Sequence, residues 1–454
     1  MGGVFMKLKV PYKTKEMMQI GMPCFIEQAL SVIAGIIATA IVANLGKNEL
    51  TAVSMCNTLV VWLNCTFTGI SVGSTILVGR MWGAGEKDRV RDVFDQTLKL
   101  NLFISVIIMC IGLVFRTQII HLFYGGAEQD VLKAMYVYLP FCMIRMPCPA
   151  FTTAMGSVQR GTGDNVTSLV GSVSLNVANI IFSPILIYGF APLGIPAFGL
   201  YGAGVAHVLS WCVPVICQII YGIAAKKAIF PKKFSLRIDK EIITRLVRVA
   251  IPSGLDMFLF QGGFVILQTV LVSFGTIFQA GYQIGANLNG IITTPSTVIA
   301  IASTTMIAQS LGAKDHESAL ETVKANKFCI YTIFSVIGIL FFLFAPLLAR
   351  IYTDDSEVLK EAIFFVRVFA VESVLVGYMQ AMAGILKGAG AVRYIAVANL
   401  IALWIGRLFM VWLLGHITGN GHIAMIVGLT LDFGIRALMF GRKGEKRNWL
   451  YLKV

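Results

Sequence analysis

Charged residues are scarce in this chain of 454 residues: Asp, Glu, Lys and Arg together make up 13% of it, whereas hydrophobic residues make up 57%. The mean hydropathy is +0.79. A soluble protein of this length needs far more charge to cover its surface. The composition therefore argues against a soluble globular protein and predicts that lipid covers much of the surface.

The sequence also lacks paired cysteine motifs. Its nine cysteines form no Cys-x-x-Cys pair, and their number is odd. Most of them lie inside apolar runs, where a free cysteine behaves as a small hydrophobic residue. We therefore expect neither a disulfide framework nor a cysteine metal site.

Two signatures of common enzymes are missing as well. The chain contains no His-Glu-x-x-His zinc motif and no Gly-x-x-x-x-Gly-Lys-Ser/Thr loop for binding phosphate. We therefore expect no enzyme activity, no cofactor and no use of ATP as the energy source.

What the chain does have is positive charge, with a formal net charge of +14 at pH 7. No basic stripe accompanies stacking aromatic residues on a soluble segment, so nucleic acid is not expected as a partner. The basic residues instead concentrate in alternate loops, at residues 7–15, 87–91, 226–248 and 442–453. By the positive-inside rule, this distribution predicts that both termini are cytoplasmic.

Twelve apolar segments are long enough to cross a bilayer, six in each half of the chain. They are residues 18–44, 50–82, 98–118, 134–157, 166–190, 202–225, 249–274, 281–311, 327–349, 362–386, 394–415 and 422–440. The predicted organisation is a cytoplasmic segment (1–16), an N-lobe (17–225), an amphipathic cytoplasmic linker (226–248), a C-lobe (249–441) and a basic cytoplasmic tail (442–454).

The two halves repeat each other. Gly83-Ala84-Gly85 returns half a chain later as Gly312-Ala313-Lys314, and Arg160-Gly161-Thr162-Gly163 returns as Lys387-Gly388-Ala389-Gly390. Six spans per repeat give both halves the same orientation. We therefore predict an all-α membrane protein with twelve transmembrane helices in two six-helix lobes, related by a pseudo-twofold axis along the membrane normal. Such proteins place their working site between the halves, which indicates a transporter.

Two acids lie at membrane depth at equivalent positions, Glu27 in span one and Asp256 in span seven. Ionisable residues are costly there and are functional candidates by default. A carboxyl group can exchange a proton or bind a cation, so both are predicted to couple transport to an ion. The alternative is that each only fixes packing through a hydrogen bond to a neighbouring helix. Gln28 and Ser31 are candidate substrate ligands beside Glu27.

A second symmetric pair carries opposite charges, Arg145 in span four and Glu372 in span ten. The two charges either meet near the axis between the lobes or each face water at a helix end. Arg145 is a candidate substrate ligand and Glu372 a candidate for ion coupling. Asp432 and Arg436 stand one helical turn apart and are predicted to form a structural ion pair.

Amide side chains recur by whole helical turns in spans seven and eight. Gln261 and Gln268 are two turns apart, and Gln283 and Asn287 are one turn apart. Amides spaced in this way suit a water-filled cavity that holds varied substrates, and they suit hydrogen bonds between helices almost equally well. Gln261, Gln283 and Asn287 are therefore candidate substrate ligands.

Several motifs resemble those of multidrug and toxin extrusion (MATE) transporters. Residues 155–165, Met-Gly-Ser-Val-Gln-Arg-Gly-Thr-Gly-Asp-Asn, resemble the loop after span four in that family, and residues 200–206 and 280–284 resemble other family signatures. The resemblance implies a V-shaped carrier that exports organic, often cationic compounds in exchange for Na+ or H+. We expect a monomer in a bacterial cytoplasmic membrane, with membrane lipid and a small organic, cationic substrate as partners.

The N-lobe departs from the family pattern. Many members carry Asp in the middle of span one, where this chain has Ala38, and Asn-x-x-x-Asp-Pro in span five, where it has Asn179 and Ser183; a following Thr position is His207. Na+ prefers charged, hard oxygen ligands, so Asn179 and Ser183 alone make a poor sodium site. His207 either titrates, which favours protons as the coupling ion, or merely packs.

The sequence as a whole predicts a secondary antiporter that exports cationic drugs or metabolites in exchange for H+ or Na+ by rocking of two lobes. The alternative is a flippase for lipid-linked sugar or peptidoglycan precursors, whose cavity needs cationic residues to hold a pyrophosphate. Arg145 and Arg407 keep that alternative open.

Overall fold

The computed structural model describes residues 11–43, 45–190, 194–224 and 238–452. Within these ranges the chain is almost entirely helical, and the described β-bridge joins Phe190 to Ile195. Among the described residues, eleven helices are long and apolar enough to cross a membrane, and two shorter helices that meet at 41° together make a twelfth span. The predicted all-α membrane fold with twelve spans is confirmed.

The chain divides into two compact units, and the boundaries between them fall within the first and ninth helices. The N-terminal unit is Pro23–Leu255, and the C-terminal unit comprises the residues up to Met22 together with Asp256–Val454. The finer division into an N-lobe and a C-lobe joined by a cytoplasmic linker stays a prediction.

Helices of the first half begin with α1 (Thr14–Ala43), α2 (Lys47–Gly83) and α3 (Lys87–Val114). They continue with α4 (Arg116–Tyr124), α5 (Gln129–Ile144), α6 (Pro147–Gly161), α7 (Val166–Tyr188) and α8 (Gly199–Ala224). The bent pair α5 and α6 forms span four.

Helices of the second half are α9 (Lys240–Val272), α10 (Thr276–Gly312), α11 (His316–Arg350), α12 (Ser356–Gly388) and α13 (Val392–Leu400). A π-helical stretch (Ile401–Phe409) joins α13 to α14 (Met410–Thr418), and these three pieces together form span eleven. The last span is α15 (Gly421–Glu445), followed by a 3-10 turn (Asn448–Tyr451). Asp315, Asp355 and Asn420 cap helices of this half, because their side chains accept hydrogen bonds from backbone N–H groups of the first turn.

The repeat seen in the sequence is also present in the backbone. α2 and α10 each have 37 residues, and both begin directly after a glycine with a positive φ angle. These angles are 141° at Gly46 and 114° at Gly275, and a later pair of equivalent turns has 87° at Gly163 and 86° at Gly390. Glycine adopts such angles without steric cost, and both halves of the sequence have a glycine at each of these turns.

The two halves differ at span four. α5 ends at Ile144 and α6 begins at Pro147 with a bend of 41°, whereas α12 runs unbroken from Ser356 to Gly388. Proline has no N–H to donate and disfavours helical geometry in the residue before it. The positions equivalent to Pro147 and Pro149 are Val374 and Val376, so the cause of the break is absent from the second half.

The predicted linker at 226–248 is only partly described, since residues 225–237 lie outside the described ranges. From Lys240 onward it is the first part of α9, which continues through span seven. Its apolar residues Leu246 and Ala250 are buried, and α9 packs against α2, where the space for a Cβ on Gly69 is taken by the Ala250 carbonyl. The predicted surface helix is therefore not separate from span seven.

The predicted basic tail is partly folded as well. α15 continues to Glu445, and Trp449 in the 3-10 turn is fully buried, with its indole N–H donating to the carbonyl of Gly444 at 2.8 Å. Residues 453 and 454 lie outside the described ranges.

Candidate functional site

Each unit contains one of the two acids predicted to couple transport to an ion. In each unit the acid accepts a hydrogen bond from a neutral side chain, and the two donors occupy equivalent positions of the repeat. In the N-terminal unit, Ser172 Oγ on α7 donates to Glu27 Oε1 on α1 at 2.9 Å. In the C-terminal unit, Asn399 Nδ2 on α13 lies 3.0 and 2.9 Å from the two carboxylate oxygens of Asp256 on α9. The repeat makes Asp256 equivalent to Glu27 and Asn399 equivalent to Ser172.

A basic side chain accompanies each of these acids. Arg160 lines a cavity of about 190 Å³ together with Glu27 and Ser172, and it donates to Ser71 and Ser168 at 3.2 Å each. The equivalent residue Lys387 acts electrostatically on Asp256. Both units thus repeat an arrangement of acid, neutral donor and base. The sequence predicted the two acids, but Ser172 and Asn399 were missed because polar residues are common in these spans.

The two residues predicted to lie beside Glu27 contact it little. Ser31 Oγ donates to the backbone carbonyl of Glu27 at 2.9 Å, which satisfies it within its own helix. Gln28 is half-buried, and its side chain forms no hydrogen bond with another described residue.

A second cavity of the N-terminal unit collects the positions at which the chain departs from the family pattern. Ala38, Asn179, Ser183 and His207 all line this space of about 360 Å³. Ser183 Oγ donates to Asn179 Oδ1 at 2.8 Å, and Tyr138 Oη lies 2.6 Å from His207 Nδ1. The described lining contains no carboxylate, so it offers only neutral oxygen and nitrogen atoms to a cation.

Arg145 and Glu372 are both buried, with 3% and 7% of their surfaces exposed. The guanidinium carbon of Arg145 lies 5.0 Å from the centre of the Trp211 ring, and Glu372 Oε1 accepts from Thr430 Oγ1 at 2.8 Å. Within the described part of the chain, neither residue forms an ion pair. Their burial contradicts exposure to water at a helix end, and a contact between the two charges stays a prediction.

Three charges meet between the π-helical stretch and α15. Asp432 Oδ1 lies 2.7 Å from Arg436 Nε, which confirms the predicted ion pair, and Asp432 Oδ2 lies 2.6 Å from Arg407 Nη2. Arg407 has no acidic residue close to it in the sequence. Its partner lies in the next span, beyond the reach of helical spacing arguments.

The amides of spans seven and eight form a chain of hydrogen bonds between α9 and α10. Gln279 donates to Gln268 at 3.3 Å, Gln268 to Gln283 at 3.0 Å and Gln283 to Asn287 at 3.4 Å. Gln283 and Asn287 are also exposed, so the amides both join the helices and remain accessible. Gln279 was not predicted, and the side chain of Gln261 forms no hydrogen bond with another described residue.

One enzyme-like spacing does occur in the chain, Gly69-x-Ser71-x-Gly73, the pattern of a serine nucleophile turn. It lies inside α2, not at a strand-to-helix turn, and Ser71 Oγ accepts from Arg160. The two glycines instead allow α9 to approach α2 closely. The described residues contain no group of three His, Cys, Asp or Glu side chains placed to hold a metal ion.

Known proteins share this pattern. The MatE family model matches residues 23–185 and again 252–413, one segment in each half of the chain. The probable multidrug resistance protein YoeA of Bacillus subtilis is 25% identical over 401 residues, which cover 87% of this chain and 85% of YoeA. The probable multidrug resistance protein NorM of Thermotoga maritima is 24% identical over 452 residues, covering 97% of this chain and 95% of NorM.

Solved structures share the fold. A mutant of the Vibrio cholerae MATE transporter VcmN matches with a TM-score of 0.87 at 18% identity, covering 97% of this chain and 98% of VcmN.

Proposed function

The chain belongs to the MatE family, and we propose that it is a secondary antiporter that exports organic, cationic drugs or metabolites in exchange for H+ or Na+. Rocking of the two units exposes the site to one side of the membrane at a time. The relatives described as probable multidrug resistance proteins support export of varied organic compounds.

The observation that carries this proposal is the repeated acid with its single neutral donor. Glu27 and Asp256 occupy equivalent positions in membrane-spanning helices, and neither forms an ion pair among the described residues. An ionisable side chain in a membrane-spanning helix is costly, which makes each of these acids a functional candidate. Because no ion pair locks it, each acid is available to exchange a proton or a small cation.

The other predicted residues take supporting roles in this proposal. Glu372, His207 and Asn179 contribute to ion coupling. The described lining of the cavity around His207 has no carboxylate, which favours H+ over Na+. Gln28, Ser31, Arg145, Gln261, Gln283 and Asn287 contribute to substrate binding. The exposed amides among them can form hydrogen bonds with ligands of different shapes.

We further propose that the protein is a monomer of the bacterial cytoplasmic membrane, with membrane lipid around it and both termini cytoplasmic. It needs no cofactor and performs no chemical conversion. A flippase for lipid-linked sugar precursors is the less favoured alternative, because Asp432 already neutralises Arg407, one of the two cations that a pyrophosphate would require.

Proteoliposomes that hold the purified protein and no ATP test the proposal. An imposed pH or Na+ gradient should drive a cationic dye against its own concentration gradient, with the pH gradient the more effective. Failure of both gradients to move the dye, with movement of a fluorescent lipid pyrophosphate instead, would replace the antiporter with the flippase.

A further inference from the structure

A groove of about 480 Å³ lies between α11 and α12 on the surface of the C-terminal unit. Its floor consists of buried residues at which the two helices approach closely, since a Cβ on Gly338 would lie 2.7 Å from the Ala370 carbonyl oxygen. Its rim is apolar and open, because Ile339, Leu343 and Val371 expose 61%, 64% and 69% of their surfaces. Both helices are long and apolar enough to cross a membrane, so this rim faces lipid.

The groove is about as long as one leaflet of a bilayer is thick. Its lining on α11 extends from Phe334 to Leu343, about 14 Å along a helix axis that rises ~1.5 Å per residue. The hydrocarbon core of a bilayer is ~30 Å thick, so each leaflet contributes about 15 Å. The groove therefore has the length to hold most of one acyl chain against the protein.

A cation lies at the edge of the groove. The guanidinium carbon of Arg367 on α12 is 5.4 Å from the centre of the Phe342 ring, which belongs to the lining. Arg367 precedes Val371 and Val374 by one and two helical turns, so it stands on the face of α12 that borders the groove. Arg367 is exposed, and it forms neither an ion pair nor a side-chain hydrogen bond with another described residue. Its donors are therefore available to a ligand in the groove.

The depth of Arg367 in the membrane places its charge at the level of lipid headgroups. α12 has 33 residues and is about 50 Å long, so a hydrocarbon core of ~30 Å centred on it begins about 10 Å after Ser356. Arg367 lies about 16 Å beyond Ser356. Side chains of a helix point toward its N-terminus, and long basic side chains extend to the membrane interface. The guanidinium can therefore reach the phosphate of a lipid whose chain lies in the groove.

Acids near the start of α12 do not neutralise this cation. Those within residues 354–357 precede Arg367 by at least about 15 Å of helix. Salt screens exposed charges over a Debye length of ~8 Å, which is shorter than this separation. Glu361 is closer, but it pairs with His422 at 2.8 Å. The edge of the groove therefore keeps its positive charge.

The equivalent surface of the first half lacks both the cation and the open space. The repeat makes Pro140 equivalent to Arg367 and Met143 equivalent to Ala370. The side chain of Met143 is buried against Gly112 on α3, so it fills the space that stays open beside Gly338 on α11. The groove and its cation are therefore a feature of the C-terminal unit and not a consequence of the shared repeat.

From these observations we propose that the groove between α11 and α12 binds one anionic phospholipid, with an acyl chain along Gly338 and Ile339 and the headgroup phosphate on Arg367. A guanidinium suits a phosphate because it donates two parallel hydrogen bonds to it. A zwitterionic phospholipid offers the same phosphate, but its own ammonium group competes with Arg367 for that phosphate. With both termini cytoplasmic, as proposed above, the bound lipid belongs to the outer leaflet of the cytoplasmic membrane.

Native mass spectrometry of the detergent-purified protein tests the headgroup preference. The protein is titrated with phosphatidylglycerol or with phosphatidylethanolamine of the same acyl chains, and the affinity for the first bound lipid is compared. Phosphatidylglycerol should bind about tenfold more tightly, the worth of one charge-assisted contact. Equal affinities would overturn the proposal. Glycerol phosphate, which has no acyl chains, should not displace the lipid; displacement would assign the site to soluble phosphates instead.

Substitution of Arg367 should remove this preference. Arg367→Gln should weaken binding of phosphatidylglycerol about tenfold and leave phosphatidylethanolamine unchanged, while Arg367→Lys, which keeps the charge, should retain most of the preference. Lys133→Gln is the matched control, because it removes an exposed cation from α5 in the other unit. An equal loss in Lys133→Gln and Arg367→Gln would show a general attraction to positive charge, which contradicts a site at the groove.

A second variant blocks the groove and leaves Arg367 in place. Ser335 is exposed and belongs to the lining, so the indole ring of Ser335→Trp would occupy the path of the acyl chain. This variant should weaken binding of phosphatidylglycerol about tenfold, the worth of roughly two buried CH₂ groups. Leu340→Trp adds the same ring at an exposed position of α11 outside the lining and should bind like the wild type. Wild-type affinity in Ser335→Trp would show that the chain does not lie in the groove.

Discussion

Buried charges in this protein are of two kinds at the scale of single residues. Asp432 is fully buried and lies between two cations, Arg407 and Arg436, at 2.6 and 2.7 Å. Arg145 is buried without a charged partner in the described ranges. Removing one member of a compensated group leaves the others exposed to the full cost of desolvation, which gives Asp432 a role in stability.

The variant Asp432→Asn should therefore destabilise the protein strongly. It keeps the shape of the side chain but leaves two buried guanidinium groups without a counter-ion, at a cost of about 3–5 kcal/mol. Unfolding of the detergent-purified protein followed by tryptophan fluorescence measures the loss. Asp130→Asn is the control, since Asp130 pairs with Lys133 at an exposed site and should contribute about 1 kcal/mol or less. Equal stability of the two variants would show that the buried cluster is not a stabilising core.

Sequence reasoning found these residues unevenly. Asp432 and Arg436 were predictable because they stand one helical turn apart. The contacts of Glu27 with Ser172 and of Arg407 with Asp432 were not, since each joins residues of two different helices. The repeat would have pointed from Ser172 to Asn399, but only once one of the two contacts was known.

At the scale of helices, the close contacts between spans two and four recur between spans eight and ten. Thr75 Oγ1 on α2 donates to the carbonyl of Ser157 on α6 at 2.9 Å, and Thr304 Oγ1 on α10 donates to the carbonyl of Gly384 on α12 at 3.0 Å. Gly161 and Gly388 make this approach possible, because there is no room for a side chain on either. The equivalent pairs of helices therefore pack in the same way in the two halves.

Substitution of either glycine should separate these helices by a similar amount. A Cβ on Gly161 would lie 2.7 Å from Val78 Cβ, and one on Gly388 would lie 2.5 Å from the Thr304 carbonyl oxygen. Gly161→Ala and Gly388→Ala should each cost about 1–3 kcal/mol through overpacking. Their midpoints of thermal unfolding should fall together.

A matched control is Gly290→Ala, in the middle of α10, where a Cβ meets nothing within 4 Å. This variant should hold or gain stability, by up to about 1 kcal/mol, because alanine favours helix over glycine. If Gly161→Ala and Gly388→Ala melted like Gly290→Ala, the close approach of the helices would not be a source of stability.

The limits of the transmembrane spans were predicted well from hydropathy. Breaks and continuations of helices that depend on proline or on packing were predicted poorly. The twelve spans follow from apolar runs alone. The break in span four comes from Pro147 and Pro149, which are visible in the sequence but do not interrupt its hydropathy. The fusion of the linker with span seven depends on packing of Leu246 and Ala250 against α2, which no local pattern reveals.

At the scale of the whole molecule, the two units share one arrangement of acid and hydrogen-bond donor but differ in other side chains at equivalent positions. Both hold an acid by a neutral donor. The cavity of the N-terminal unit, however, is lined by Tyr138 and Asn57, whose equivalents in the C-terminal unit are Phe365 and Ala286. Phe365 is fully buried in the core of its unit. The composition and the internal repeat could predict the arrangement that the two units share. The different lining could not be predicted, because it depends on which side chains the fold brings into contact.

Coupling of ion movement to export is assigned to the two repeated acids. The initial rate of gradient-driven dye transport tests this role in proteoliposomes that contain the wild type, Glu27→Gln, Asp256→Asn or the double variant, at matched protein content. At least one single variant and the double variant should lose about tenfold or more in rate, equivalent to ~1.4 kcal/mol. Asp130→Asn, which neutralises an exposed acid, should keep the wild-type rate. Transport by the double variant at the wild-type rate would show that the repeated acids do not couple the ion to export.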